Sequence, residues 1–272
     1  MTIIQALILG FVQGITEFLP ISSSGHLVLV PALFGWQIPQ EQIFPFDVLV
    51  QLGTLVAVIF YFRKDLWQII TAVITGLLHK KPLETQQAKL GWFIVLATIP
   101  AVIAGVLVKD IVEKAFNSTL ATALFLFLTA AILFLSEIRG HQEKMIKDMT
   151  WIDAISIGFF QVLAIFPGVS RSGSTIGGSI FLNFKRKEAA RFSFLMSIPV
   201  MIGAGVFSVP DLLQIPDLNN FLPSMIIGFL VAMVVGYVSI HWLLKFLTGH
   251  SLKGFALYCL AAGLLGLMIT FV

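Results

Sequence analysis

Charge is what this sequence has least of. Asp, Glu, Lys and Arg supply 11% of its 272 residues, against roughly 25% in a soluble globular domain. Hydrophobic residues supply 58% and mean hydropathy is +0.97, more than any water-soluble core of this size needs, so the bilayer is the expected solvent. Cysteine is nearly absent as well. Cys259 stands alone in an apolar run, which excludes an internal disulfide and leaves the redox compartment unreadable. Long basic runs are missing too. The net charge of +3 comes from short groups of Lys and Arg between apolar stretches, the pattern of loops at a membrane surface, and this excludes a basic nucleic-acid-binding face. The N-terminus has no basic n-region and its apolar stretch holds Gln13 and Glu17, so no cleaved signal peptide is expected.

What is present is a series of long apolar segments. Crossing the hydrocarbon takes roughly 20 residues, and six stretches qualify, at about 46–62, 90–108, 119–136, 191–209, 222–246 and 254–272. The 13 residues 66–78 follow Arg63-Lys64-Asp65 and read as lying at the interface. Two further apolar segments are interrupted. Residues 1–35 contain Pro20 and the run Ser22-Ser23-Ser24-Gly25-His26; residues 151–182 contain Pro167-Gly168 and the run Ser170-Arg171-Ser172-Gly173-Ser174-Thr175. Non-helical backbone survives in lipid only where protein or a wet cavity satisfies it, so both are expected to be re-entrant hairpins or broken helices lining a cavity.

The interrupted segments resemble each other. Offset by 148 residues, GFVQGITEFLPISSSG (10–25) matches GFFQVLAIFPGVSRSG (158–173) at seven of 16 positions, among them Gly10/Gly158, Gln13/Gln161, Ser22/Ser170 and Gly25/Gly173. The chain therefore reads as a single membrane domain, 1–272, of two repeats. The first covers about 1–140 with its hairpin at 1–35, the second about 150–272 with its hairpin at 151–182. The loops 79–89, 183–191 and 245–253 carry excess Lys and Arg and are expected to be cytoplasmic. The loop 210–220 carries Asp211 and Asp217 without a basic residue, which suits the outside; the charges of 137–150 balance. Threading the spans through these loops brings the first hairpin in from outside and the second from inside. The expected fold is an all-α polytopic integral membrane protein with two inverted-topology repeats, each a hairpin plus about three transmembrane helices, an arrangement that places sites where broken helices meet.

Gln13 and Glu17 are four apart and share a helical face. A carboxylate deep in an apolar segment costs several kcal/mol unless it is paired, protonated or wet, so Glu17 is read as a metal ligand or general base rather than as a structural group. Pro20 is expected to stop one half-helix and the serines to open the next. Ser22 and Ser24 can be plain N-caps, yet a helix N-terminus is also an anion site. His26 beside them reads as an acid, base or nucleophile. In the second hairpin a glycine- and serine-rich turn can wrap a phosphate, and Arg171 adds a planar fork that matches phosphate oxygens. Its competing reading is an ion pair with Glu17 alone. Ser170, Ser172, Gly173 and Thr175 join the expected phosphate cradle with Gln13, Ser22, Ser24 and Gly25; Asp47 and Gln51 are weaker supporting candidates. A charged head site within an apolar shell fits a lipid carrying a phosphate or diphosphate.

With these residues in view, the sequence resembles the bacterial undecaprenyl-diphosphate phosphatase family, the bacitracin-resistance proteins. The family motif of Glu or Gln, three residues, Glu, then a Pro- and Ser-rich stretch ending in Gly-His reads QGITEFLPISSSGH (13–26) here. The motif Pro-Gly-x-Ser-Arg-Ser-x-x-Thr reads PGVSRSGST (167–175). The resemblance covers the whole chain in length and hydropathy. It implies removal of the terminal phosphate of undecaprenyl diphosphate, which recycles the carrier lipid for peptidoglycan and other envelope polymers and confers bacitracin resistance. It also implies a divalent metal ion (Mg2+ or Ca2+), an inner-membrane location and a site open to the periplasmic side, and it admits a homodimer. By motif, Glu17, His26, Ser23 and Arg171 are expected to be catalytic, with Glu17 on the metal or orienting His26. The nucleophile is left open among His26, Ser23 and water. Position 13 is Gln where many relatives have Glu, which weakens a paired-carboxylate metal site.

Two rivals carry weight. A transporter or flippase of a phosphorylated lipid or small anion shares the architecture, although the Glu, His and Ser beside the Arg favour chemistry. The other membrane lipid-phosphatase superfamily needs a further His and Asp after its Ser-Arg motif, and 172–184 reads SGSTIGGSIFLNF. A scaffold gives no reason for intramembrane charges.

Overall fold

The structure is a computed structural model that describes residues 1–108, 111–112, 115, 118–213 and 218–271. Among the described residues there are eleven α-helices and no strand beyond one isolated bridge between Lys144 and Phe184. The chain is an all-α polytopic membrane protein. Six of the described helices are long and apolar enough to cross a bilayer: α3 (Gln40–Tyr61), α5 (Gln86–Leu107), α6 (Thr119–Arg139), α9 (Arg186–Leu213), α10 (Leu218–Phe246) and α11 (Lys253–Phe271). They match the six expected spans, with ends displaced by a few residues. α4 (Arg63–Leu78) has 16 residues, short of a span. It packs on α5, where Ile69 and Val73 close on Gly91, and leaves Trp67 and Leu78 exposed. Of the loop 210–220, α9 takes the backbone to Leu213; Asp217 and the side chain of Asp211 lie outside the described residues, as does Val272.

The two interrupted segments fold as helix pairs. The first pair is α1 (Ile3–Thr16) and α2 (Ser23–Leu33), the second α7 (Trp151–Leu163) and α8 (Arg171–Phe181). Proline sets both breaks. Its ring collides with the carbonyl four residues back, and α1 ends at Thr16, four before Pro20, while α7 ends at Leu163, four before Pro167. The first half-helix thus stops a turn earlier than a simple stop at Pro20 implies. Both pairs begin alike, with capping boxes at Thr2/Gln5 and Thr150/Asp153.

Packing follows the same correspondence. α1 lies on α10 and α7 lies on α5. The repeat-matched glycines mark the two contacts. A Cβ on Gly10 would stand 2.6 Å from the Gly228 carbonyl oxygen, and one on Gly158 2.6 Å from that of Ala97. Small residues permit such close helix approach in lipid. The largest core cluster surrounds the hairpin breaks, with Phe18 edge-on to Phe194 and with Ile176, Ile180, Phe192 and Met196 fully buried. The large apolar side chains left exposed on the long helices, such as Val106, Val234 and Leu257, face hydrocarbon rather than water.

Three charged links gather one end of the molecule. Glu137 at the end of α6 pairs with Arg186 at the start of α9 and also accepts from the N–H of Leu252, just before α11, at 2.9 Å. Arg191 pairs with Asp65 of α4. The basic loops 183–191 and 245–253 therefore share a face.

Candidate active site

The two hairpin breaks meet in the interior. Ser172 Oγ of α8 donates to the Leu19 carbonyl in the first break at 3.0 Å, and a Cβ on Gly25 would touch Gly168 Cα at 3.4 Å. Each second half-helix opens in the same way. Ser22 accepts from the N–H of Gly25 (3.2 Å) and Ser170 from that of Gly173 (3.0 Å). Ser22 Oγ lies 3.3 Å from Ser24 Oγ, and Ser170 Oγ lies 3.2 Å from Ser172 Oγ. Helix geometry leaves first-turn N–H groups without intrahelical acceptors, so Ser23 and Ser24 of one half-helix and Arg171 and Ser172 of the other present their amides at the junction. The second break depends on glycine. Gly168 has φ +95°, and a Cβ there would stand 2.3 Å from the Thr122 carbonyl. Thr129 Oγ1 closes the turn, donating to the Gly168 carbonyl and accepting from Ser170 N, both at 2.9 Å.

Glu17 is the centre of the junction and is 6% exposed. Its Oε2 accepts from Gln13 Nε2 at 2.9 Å and from Ser23 Oγ at 2.6 Å, and its Oε1 pairs with Arg171 Nη2. Arg171 Nη2 also approaches Met201 Sδ at 3.3 Å. Arg171 Nη1 is buried and has no partner among the described residues. The ion pair expected as the competing reading of Arg171 is therefore present, but it occupies only half of the guanidinium fork. The other half is a desolvated donor without an acceptor, and burying such a group costs about 1–3 kcal/mol unless an acceptor arrives.

The structure thus joins Gln13, Glu17, Ser23 and Arg171 in one network, with Ser22, Ser24, Gly25, Ser170, Ser172 and Gly173 forming the two helix openings around it. Thr175 faces elsewhere. Its hydroxyl donates to the Arg171 carbonyl at 2.8 Å and meets Ser193 Oγ of α9 at 2.5 Å. Gln161, the repeat partner of Gln13, is buried with neither amide atom partnered among the described residues; Ile165 stands where the first repeat has Glu17.

His26 is not hydrogen-bonded to Glu17, which corrects the expectation that Glu17 orients it. Its Nδ1 is 2.7 Å from the Ser22 carbonyl and its Nε2 2.7 Å from the hydroxyl of Tyr258 on α11, the two rings stacking with centroids 5.6 Å apart. Tyr258 is the residue that sequence reasoning missed. It lies 232 positions away in an apolar span, and no motif marks it.

Among the described residues no group of three or more His, Cys, Asp or Glu is placed to hold a metal. Glu17 and the Ser23 hydroxyl are the oxygen donors in contact here, since Gln13 turns its amide nitrogen to Glu17. One carboxylate with substrate phosphates and water is a usual arrangement for Mg2+, so the residues fit a cation shared with the substrate and not an all-protein cage.

Similarity to known proteins is extensive. An undecaprenyl-diphosphatase of Myxococcus xanthus is 41% identical over 269 residues, covering 99% of this chain and 89% of its own. One of Corynebacterium glutamicum is 43% identical over 275 residues, covering 98% and 90%. One of Methanosphaera stadtmanae is 42% identical over 283 residues, covering 99% of each. The profile of the bacitracin resistance protein BacA family matches residues 6–265, a range that takes in both hairpin breaks and all but the ends of the first and last helices, and the chain belongs to that family.

Proposed function

We propose that this protein hydrolyses undecaprenyl diphosphate to undecaprenyl phosphate and inorganic phosphate at the junction of the two hairpins, recycling the carrier lipid and conferring bacitracin resistance. The observation that carries the reading is the half-used Arg171. A buried guanidinium with one arm on Glu17 and the other unpartnered, set between two helix N-termini, is built to receive a phosphate oxygen. The names of the relatives, each an undecaprenyl-diphosphatase, support the substrate.

The residues divide the work. Arg171 Nη1 and the free amides of Ser23, Ser24, Arg171 and Ser172 bind the diphosphate and stabilise charge that develops on its oxygens. Of the three candidate nucleophiles, Ser23 has the geometry of activation, because its hydroxyl already donates to a carboxylate at 2.6 Å. In this reading Ser23 Oγ bonds to the terminal phosphorus and gives its proton to Glu17, the bridging P–O bond breaks, and undecaprenyl phosphate leaves. Water then cleaves the Ser23–phosphate bond. A divalent cation, held by Glu17, would supply positive charge to the phosphate oxygens. The first repeat, 1–140, and the second, 150–272, are proposed to be inverted, with the correspondence of α1 on α10 to α7 on α5 as support. The basic face then lies in the cytoplasm of a bacterial inner membrane and the site opens outward. All of the groups named here come from one chain.

The test is phosphate release from undecaprenyl diphosphate by the purified protein in detergent, with and without EDTA, beside Glu17→Ala. Metal-dependent release that Glu17→Ala abolishes is the expected result. No release from a folded preparation supplied with divalent ions would overturn the phosphatase reading in favour of transport, and lipid or anion flux in liposomes would then be measured.

A further inference from the structure

His26 belongs to two environments. Its backbone opens α2 beside the phosphate cradle, but its ring points into a cavity of about 590 Å³ on the lipid side of the first hairpin. Phe11, Ile15, Trp242, Phe246 and Phe255 line that cavity together with Tyr258. The cavity exists because α10 and α11, although consecutive, pack on different partners: α10 on α1 and α3, α11 on α6. The tip of the first hairpin, Leu19 and Ile21, sits between them. The result is an apolar groove open laterally to lipid, whose wall is the same hairpin that carries Glu17 and Ser23.

The chemistry at its inner end is defined. The Ser22 carbonyl can only accept, so His26 Nδ1 carries the proton and Nε2 is the lone-pair nitrogen. That nitrogen accepts from the Tyr258 hydroxyl. Tyr258 therefore blocks the one basic atom of His26, while as a residue it is 46% exposed and lines the groove. A chain lying in the groove runs along a wall that includes Tyr258.

We propose, resting on the phosphatase reading, that the groove takes the head-proximal part of the isoprenoid chain and that Tyr258 is a positioning residue which frees His26 Nε2 only when that chain is seated. The occupant follows from continuity. A diphosphate held at Glu17 and Arg171 carries its chain away from a polar junction whose surroundings are apolar, and the groove shares the hairpin tip with that junction, is open to lipid and is lined by aromatic and aliphatic side chains. A freed Nε2 takes a proton from the water that hydrolyses the Ser23–phosphate bond, so recognition of the chain and turnover are linked and diphosphates without a long chain turn over slowly.

The experiment compares kcat/KM for undecaprenyl diphosphate and for isopentenyl diphosphate in the wild type, Tyr258→Phe and the groove-filling Ile15→Trp. A benzophenone-bearing farnesyl diphosphate is crosslinked in parallel. Tyr258→Phe keeps the ring and removes the clasp, so the long-to-short ratio should narrow by about five-fold, the scale of one neutral hydrogen bond, with the change in kcat for the short substrate. Ile15→Trp should raise KM for the long substrate only. Crosslinks should map to α1 and α11 and be competed by undecaprenyl phosphate; Phe255→Trp provides a second filling variant should Ile15→Trp not fold. A ratio unchanged within about two-fold in Tyr258→Phe, an equal loss on both substrates, or crosslinks confined to other faces would overturn the proposal. Crosslinking in the groove by a wild type that releases no phosphate from either diphosphate would refute the phosphatase reading and leave chain binding in place.

Discussion

Single side chains at the junction are held by more than one partner, and the partners differ in how visible they are in sequence. Gln13 and Glu17 are a helical turn apart, so their contact at 2.9 Å is legible from spacing alone. Arg171 against Glu17 spans 154 positions and is legible only because each is an isolated charge in an apolar segment that needs a counter-charge. Lysine at 171 would keep that charge and lose the second arm. Arg171→Lys is expected to lower kcat/KM by roughly 10- to 100-fold, the value of a charge-assisted hydrogen bond; near wild-type phosphate release would rule out the clamp. Gln13 fills Glu17 Oε2 with a neutral donor. Gln13→Glu replaces that donor with a second carboxylate, so half-maximal activity should need less divalent metal, read by titrating Mg2+ or Ca2+ into EDTA-stripped protein. An unchanged metal requirement would place the cation away from these two residues. Ser23→Ala should cut kcat by about a thousand-fold, and acid quenching of the wild type with labelled substrate should trap phosphate on Ser23.

At the scale of the element, the breaks are prescribed locally. Pro20 and Pro167 end the half-helices four residues upstream, and Ser22 and Ser170 cap the halves that follow. All four positions are readable in sequence because the forces involved reach only one turn. The shape of each turn is less readable. Ser22 takes φ 69°, and Gly168 takes φ +95° against the α6 backbone, a geometry fixed by what lies opposite. Gly168→Ala would add left-handed strain of about 1–2 kcal/mol to a steric conflict with the Thr122 carbonyl. The detergent-solubilised variant is therefore expected to unfold at lower temperature than the wild type while Gly249→Ala, with open space around its Cβ, does not. Equal thermal stability of the two would mean the second break is looser than its geometry implies.

Over the whole molecule, the six spans and the basic loops set out an insertion order, and the ion pairs fasten it. Glu137 is buried and serves α6, α9 and the approach to α11 at once. Glu137→Gln should cost about 2 kcal/mol, since it leaves Arg186 without its counter-charge in a partly exposed position; thermal unfolding would register it, with kcat for surviving enzyme little changed. Sidedness can be read directly. With Cys259 buried, single cysteines at Lys187 and Lys253 should react with an impermeant maleimide from the same side of sealed vesicles, and one at Trp36 from the other. Labelling of all three from one side would end the inverted-repeat arrangement.

Composition alone dictated that this chain is solvated by lipid, because 58% apolar residues have no other solvent. Periodicity and breakers dictated the spans and the two interrupted segments, because helix length and proline sterics are local. The motif residues singled out Glu17, His26 and Arg171 as candidates, because a charge in hydrocarbon has to be explained. Tertiary structure decided the pairings. It set Ser23 rather than His26 on Glu17, turned Thr175 toward Ser193, left Arg171 Nη1 without a partner, and gave His26 to Tyr258 across 232 residues. These outcomes depend on which faces of distant helices come together. That is fixed by packing at sites such as Gly10 on Gly228 and Gly158 on Ala97, and no local pattern in the sequence encodes it.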